Sequence, residues 1–79
     1  MIVNQGNWAQ ATVSTGAAGI RTASAVLRRE GYTVATSSLG PQVTQHGVIK
    51  MTLIHVDVGN NPDTFGASEI LRTHIPELR

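Results

Sequence analysis

Residues 48–58 form the longest apolar, β-branched run in this chain, and they restrict the fold more than any other stretch. A segment of this length and composition, VIKMTLIHVDV, is typical of a central strand in a small sheet. The rest of the chain is rich in Ala, Ser, Thr and Gly. We therefore expect the sheet to form around this strand.

The alternation of apolar and polar residues changes phase within this run. Successive side chains of a strand point to opposite faces, so odd and even positions form two sets. Near the start the odd positions are apolar: Ile49, Met51 and Leu53. Toward the end the even positions are apolar: Ile54, Val56 and Val58. The pattern fits a β-bulge between Leu53 and Ile54, or a strand covered on both faces, and we favour coverage.

Length and composition limit what the chain can be. Its 79 residues make a single domain, residues 1–79, and a domain of this size buries only about 60% of its unfolded surface. The absence of cysteine excludes disulfides and thiolate metal sites, and one Trp, one Tyr and one Phe make a thin core. We therefore expect a homodimer or a complex with a larger partner.

Charge and hydropathy exclude some function classes. No segment approaches the roughly 18 apolar residues of a membrane span, and the N-terminal segment lacks the features of a signal peptide. We expect a cytoplasmic protein (in the host cytoplasm if a phage encodes it) that does not bind a membrane. The net charge of +1 provides neither a positive field for nucleic acid nor the acidity of a DNA mimic.

The predicted elements follow the order strand, helix, strand, strand, helix. They cover residues 8–14, 17–30, 32–38, 48–58 and 62–74. Gly31 ends the first helix, and Asn61, Pro62 and Asp63 begin the second. The fold class is α+β: a small two-layer βαββα sheet, partial ferredoxin-like, with two helices on one face. The last strand of the ferredoxin-like fold is missing from this order, unless the N-terminal segment or the C-terminal tail forms it.

This layout leaves one sheet face open, and we expect a partner to bind there. Trp8 lies on the polar side of its strand, and Trp is enriched at binding hot spots. A Trp that is partly buried in an ordinary fold is the simpler interpretation. The residues predicted for the open face are Trp8, Gln10, Thr12, Lys50 and Thr52.

The first helix offers a second candidate surface because it carries Arg21, Arg28 and Arg29. A solvated helix face, with cations near the negative end of the helix dipole, explains these residues without a ligand. The alternative is contact with nucleic acid or an acidic partner.

His55 and Asp57 share one strand face, a spacing that suits metal binding or acid–base chemistry. Two such side chains do not make a site, and a surface hydrogen bond between them is the simpler interpretation. The chain contains no nucleotide-binding, hydrolase or zinc-protease motif. We expect no enzyme, no cofactor and no metal site.

The sequence predicts a small non-enzymatic protein-interaction module that docks on a larger macromolecular assembly. Inhibitors encoded by phages and mobile elements are proteins of this size and kind, and such a role is one expectation. The alternative is a nucleic-acid-binding protein that uses the arginine-bearing helix or the open sheet face. That alternative lacks the aromatic pair that RNA-binding sheets carry.

Overall fold

The computed structural model describes residues 2–59 and 64–79. Its elements are β1 (Ile2–Gln5), β2 (Trp8–Ser14), α1 (Ile20–Arg29), β3 (Thr33–Ser38), β4 (Gln42–Thr44), β5 (Gly47–Ile49), β6 (Met51–Asp57), α2 (Thr64–His74) and a 3-10 turn (Pro76–Leu78). The α+β prediction is confirmed as a four-stranded antiparallel sheet with two helices. Asn61, Pro62 and Asp63, predicted to begin the second helix, lie outside the described residues.

Four strands form one sheet in the order β1-β2-β6-β3. β2 pairs with β6 along its full length, from Trp8 opposite Asp57 to Ser14 opposite Met51. β3 pairs with the other side of β6, also antiparallel. β1 lies at the edge beyond β2.

Both helices pack on one face of this sheet. β2 directs Ala9, Ala11 and Val13 to that face, and all three are fully buried. Their small side chains let the helices approach the strands closely. The buried core cluster consists of Ala11, Val13, Ala23, Leu27, Ile54, Val56, Val58, Ala67, Leu71 and Ile75. The two helices supply four of these residues: Ala23, Leu27, Ala67 and Leu71.

α1 begins three residues later than predicted. Its N-cap is Gly19, with a φ of 91°, and its first residue is Ile20. Gly19 packs against the end of α2, where a Cβ would lie 2.7 Å from the carbonyl carbon of His74. The start of α1 is therefore fixed by a contact with a distant segment, which the local sequence does not show.

Residues 48–58 are not one strand. β5 ends at Ile49 and belongs to a separate two-stranded sheet, and β6 begins at Met51. β6 then keeps one register with both neighbours from start to end, so the less favoured alternative, a bulge between Leu53 and Ile54, is wrong. The favoured interpretation, coverage on both faces, is met only in part, because Met51, Leu53 and His55 on the side opposite the helices are partly buried. The phase change has two causes: a break at Lys50, and apolar residues of β6 on the face opposite the helices.

β4 and β5 form a hairpin that extends beyond the sheet, and residues 40–50 are called the arm below. Its base is tied to the sheet by two backbone hydrogen bonds, from Leu39 N–H to the carbonyl of Met51 (2.9 Å) and from Thr15 N–H to that of Lys50 (2.8 Å). The described molecule measures 40 Å along its longest axis and 21 and 19 Å across.

The C-terminal tail packs on the domain. Ile75 is fully buried, and the Glu77 carboxylate accepts a hydrogen bond from Ser14 N–H at 2.7 Å. The Arg79 guanidinium donates to the carbonyls of Arg72 (3.1 Å) and Thr73 (2.7 Å), which satisfies acceptors that the end of α2 leaves unpaired. Within residues 2–59 and 64–79, no helix has both the length and the apolar character to cross a membrane.

Candidate functional site: the open sheet face

The open face is the side of the four-stranded sheet opposite the helices. Residues directly opposed in antiparallel strands point to the same side, so the strand register assigns the side chains to this face. The two central strands contribute Trp8, Gln10, Thr12, Ser14, Met51, Leu53, His55 and Asp57. Most of these side chains are only partly buried.

At one end of this face Trp8 and Gln10 each contact His55, and we call these three residues the Trp8 cluster. The Trp8 and His55 ring centroids are 5.5 Å apart, with the ring planes tilted by 32°. Gln10 Nε2 lies 3.0 Å from His55 Nδ1. An amide nitrogen can only donate, so this contact uses Nδ1 as the accepting ring nitrogen.

The strand register builds this cluster. Gln10 lies directly opposite His55 in the β2–β6 pair, and Trp8 lies diagonally across, opposite Asp57. Diagonal neighbours in a sheet are within reach of aromatic side chains. The indole is thus held by its neighbours before any partner binds, which lowers the entropy lost on binding.

His55 and Asp57 share the open face but have different partners. Asp57 Oδ1 accepts a hydrogen bond from Gly59 N–H at 2.7 Å, whereas His55 pairs with Gln10. The expected hydrogen bond between the two side chains is replaced by these contacts. Within the described part of the chain, no group of three or more His, Cys, Asp or Glu side chains is placed to hold a metal ion.

Two residues predicted for the open face lie elsewhere. Thr52 is opposite the fully buried Val13 and therefore points to the helix side, where its hydroxyl lies 2.9 Å from that of Thr15. Lys50 lies between β5 and β6, at the base of the arm. The prediction assumed that the odd positions of residues 48–53 face the core and the even positions face away from it. In the structure Ile54 and the even positions after it are buried, so Thr52, which is also even, faces the helices.

Trp8, Gln10 and Thr12 do lie on the open face, as the alternation of β2 predicts. The sequence interpretation did not place Met51 and Leu53 beside them. A signal for this placement exists in the chain. The even positions from Ile54 to Val58 are all apolar, and one strand of constant register must turn Met51 and Leu53 to the other side.

The three arginines of α1 lie on the other side of the sheet from the Trp8 cluster. Arg21, Arg28 and Arg29 are exposed. Arg28 Nη2 donates to the carbonyl of Val34 at 3.3 Å, which holds this side chain against the edge strand β3. The structure thus separates the two surfaces that the sequence predicts as candidates.

A depression of about 410 Å³ lies beside the start of α1, lined by residues between Gly16 and Thr22. Its backbone N–H groups are those that any helix start leaves without an intrahelical partner. We assign it no function.

Comparisons with protein-family models, with curated proteins and with solved structures found no match to this chain.

Proposed function

We propose that the protein is a non-catalytic interaction module that docks on a larger protein assembly through the Trp8 cluster. The observation that carries the proposal is the Trp8 indole, held by His55 on a sheet face that the two helices do not cover. Trp residues that are fixed in place and ringed by polar groups are the usual anchors of protein interfaces.

A nucleic-acid-binding function is second to this proposal. The exposed guanidinium groups of Arg21, Arg28 and Arg29 belong to the helix layer, so they do not lie beside Trp8. A nucleic acid that stacks on the indole would therefore gain little phosphate contact from them.

We also infer a ferredoxin-like arrangement, in which β1 takes the place of the last strand. The order β1-β2-β6-β3 and the common face of the two helices support this inference. A role as an inhibitor of a host complex, encoded by a phage or mobile element, stays a prediction from the small size and the proposed docking mode.

The test is capture of partners by the immobilised protein and its Trp8→Ala variant, with quantification by mass spectrometry. We expect the variant to retain its circular dichroism spectrum and to bind a specific partner at least about tenfold more weakly, because loss of a hot-spot Trp removes about 2 kcal/mol or more.

Phe65→Ala is the matched control. Phe65 is an aromatic residue of α2 that is 69% exposed, so this variant removes a similar apolar surface without touching the open face. Equal capture by the wild type and Trp8→Ala would contradict the proposal. Capture that instead depends on salt and on Arg21 would favour nucleic acid.

A further inference from the structure

We propose that two copies of this chain form a two-fold dimer in which the arm of each copy packs on the other copy's open face, at Met51 and Leu53. This proposal does not rest on the proposed function, because Trp8 lies at the far end of the same face, opposite Asp57 rather than Met51.

The arm concentrates the exposed apolar surface of the molecule. Six large apolar side chains are exposed among the described residues, and four of them lie on the arm or at its base: Leu39, Val43, Val48 and Ile49. Val43 and Val48 are directly opposite each other in the β4–β5 pair, so they point to the same side of the hairpin. They are 85% and 65% exposed.

A two-stranded hairpin is marginally stable in water unless its apolar side packs on something. The arm pairs with no strand of the main sheet. The exposed valine pair therefore indicates that a surface from outside the chain completes the arm.

The open face supplies a suitable surface at the end nearest the arm. Met51 and Leu53 of β6 are partly buried apolar residues on this face, and the opposed residues of β2 there are Ser14 and Thr12. None of these four side chains is charged, and the arm carries one charged residue, Lys50 at its base. The valine pair and the four receiving side chains can thus meet without repulsion between like charges.

The position of the arm suits reciprocal packing. β6 begins at Met51, directly after the arm, so the arm and the residues proposed to receive a partner's arm are adjacent in each chain. At about 3.3 Å per residue, the three-residue strands of the arm reach across about 10 Å, which covers these two positions. The arrangement closes as a pair and leaves no free arm to build a filament.

The neighbouring positions of the arm and its receiving end favour a second copy as the occupant. A stable dimer buries about 800 Å² per chain, which is about a sixth of the 4938 Å² that this chain exposes. The arm and its receiving end lie side by side, and a two-fold pair buries both of them on each chain. A different partner seated on the arm alone would leave Met51 and Leu53 uncovered.

The decisive test is cross-linking, because the chain has no native cysteine. Val48→Cys and Leu53→Cys are made as separate variants, checked by circular dichroism and mixed under mild oxidation. Any disulfide between the two variants joins different copies. We expect a cross-linked dimer in the mixture, in several-fold excess over the amount that either variant forms alone.

Sedimentation provides the second readout. Val43→Ser should raise the dimer dissociation constant at least about tenfold, whereas Phe65→Ser, which removes a comparably exposed apolar side chain from α2, should leave it unchanged. Trp8→Ala should leave the dimer intact, so the dimer and the proposed docking function fail separately. A chain that stays monomeric at high concentration would overturn the proposal. Equally efficient disulfides in Val48→Cys alone would also overturn it, because the arms would then contact each other.

Discussion

Gly19 is the residue that fixes the start of α1 against the end of α2. Its φ of 91° lies in the left-handed region, and its carbonyl accepts the hydrogen bond from Ala23 N–H that opens the helix. A Cβ at this position would overlap the carbonyl oxygen of His74. The positive end of the α1 dipole therefore lies beside the negative end of α2, an attractive arrangement that only glycine permits.

We expect Gly19→Ala to lower the free energy of unfolding by more than about 3 kcal/mol. The left-handed conformation alone disfavours alanine by about 1–2 kcal/mol, and the overlap with His74 forces the two helices apart in addition. Urea unfolding followed by circular dichroism measures the loss.

Gly16→Ala is the matched control for this prediction. Gly16 has a φ of 87° in the same loop, but a Cβ there would meet no atom within 4 Å. Its substitution should therefore lower stability only by the conformational preference, about 1–2 kcal/mol. Equal losses in the two variants would show that contact with His74 is unimportant.

At the scale of elements, β6 is the strand on which the core depends. Among the described strands of the main sheet, it alone has a long partner on each side, and Ile54 and Val56 on its helix side are fully buried. Its other side carries Leu53 toward the open face, where the side chain is only partly buried. Adjacent residues of β6 thus have different energetic roles.

We expect Ile54→Ala to lower the free energy of unfolding by about 2–5 kcal/mol, because it leaves a cavity among the buried core residues. Leu53→Ala should lower it by only about 1 kcal/mol, since no cavity forms on the open face. Both are measured by urea unfolding at a dilution where light scattering shows single chains. A larger loss for Leu53→Ala would instead mean that Leu53 faces the core, as the alternation in the first half of the run predicts.

The elements whose pattern is local could be predicted from the sequence. β2 alternates without interruption from Trp8 to Ser14, and Gly31 ends α1 as expected. The strand break at Lys50 could not be predicted, because the apolar residues on either side of it read as one run. Hydrophobicity does not distinguish a side chain that enters the core, such as Ile54, from one that is exposed on the arm, such as Val48.

The candidate site was predictable to the extent that β2 defines it. Trp8, Gln10 and Thr12 lie on the open face, because both helices pack on the opposite face of the sheet and leave this one uncovered. The contact of Gln10 with His55 depends on which residues of β2 and β6 are opposed, and that register follows from tertiary pairing. The misplacement of Thr52 has the same origin.

At the scale of the whole molecule, the structure divides into a packed two-layer body and a protruding arm. The body contains the core cluster and is closed at one end by the tail, where Glu77 and Arg79 bond to β2 and α2. The arm contributes no residue to that cluster. The arm should therefore matter for association of two copies rather than for the stability of one.

Replacement of residues 40–50 by an Asn-Gly turn tests this division. Leu39 and Met51 are joined by a hydrogen bond across β3 and β6, so a two-residue turn can link them directly. We expect the armless chain to keep the circular dichroism spectrum of the sheet and helices. Its free energy of unfolding as a monomer should fall by no more than about 1 kcal/mol, because only peripheral hydrogen bonds such as that from Thr15 to Lys50 are lost. Sedimentation should show a single chain at every concentration. An armless chain that unfolds would make the arm part of the folding unit, and one that still dimerises would move the interface to another surface, such as the free edge of β3.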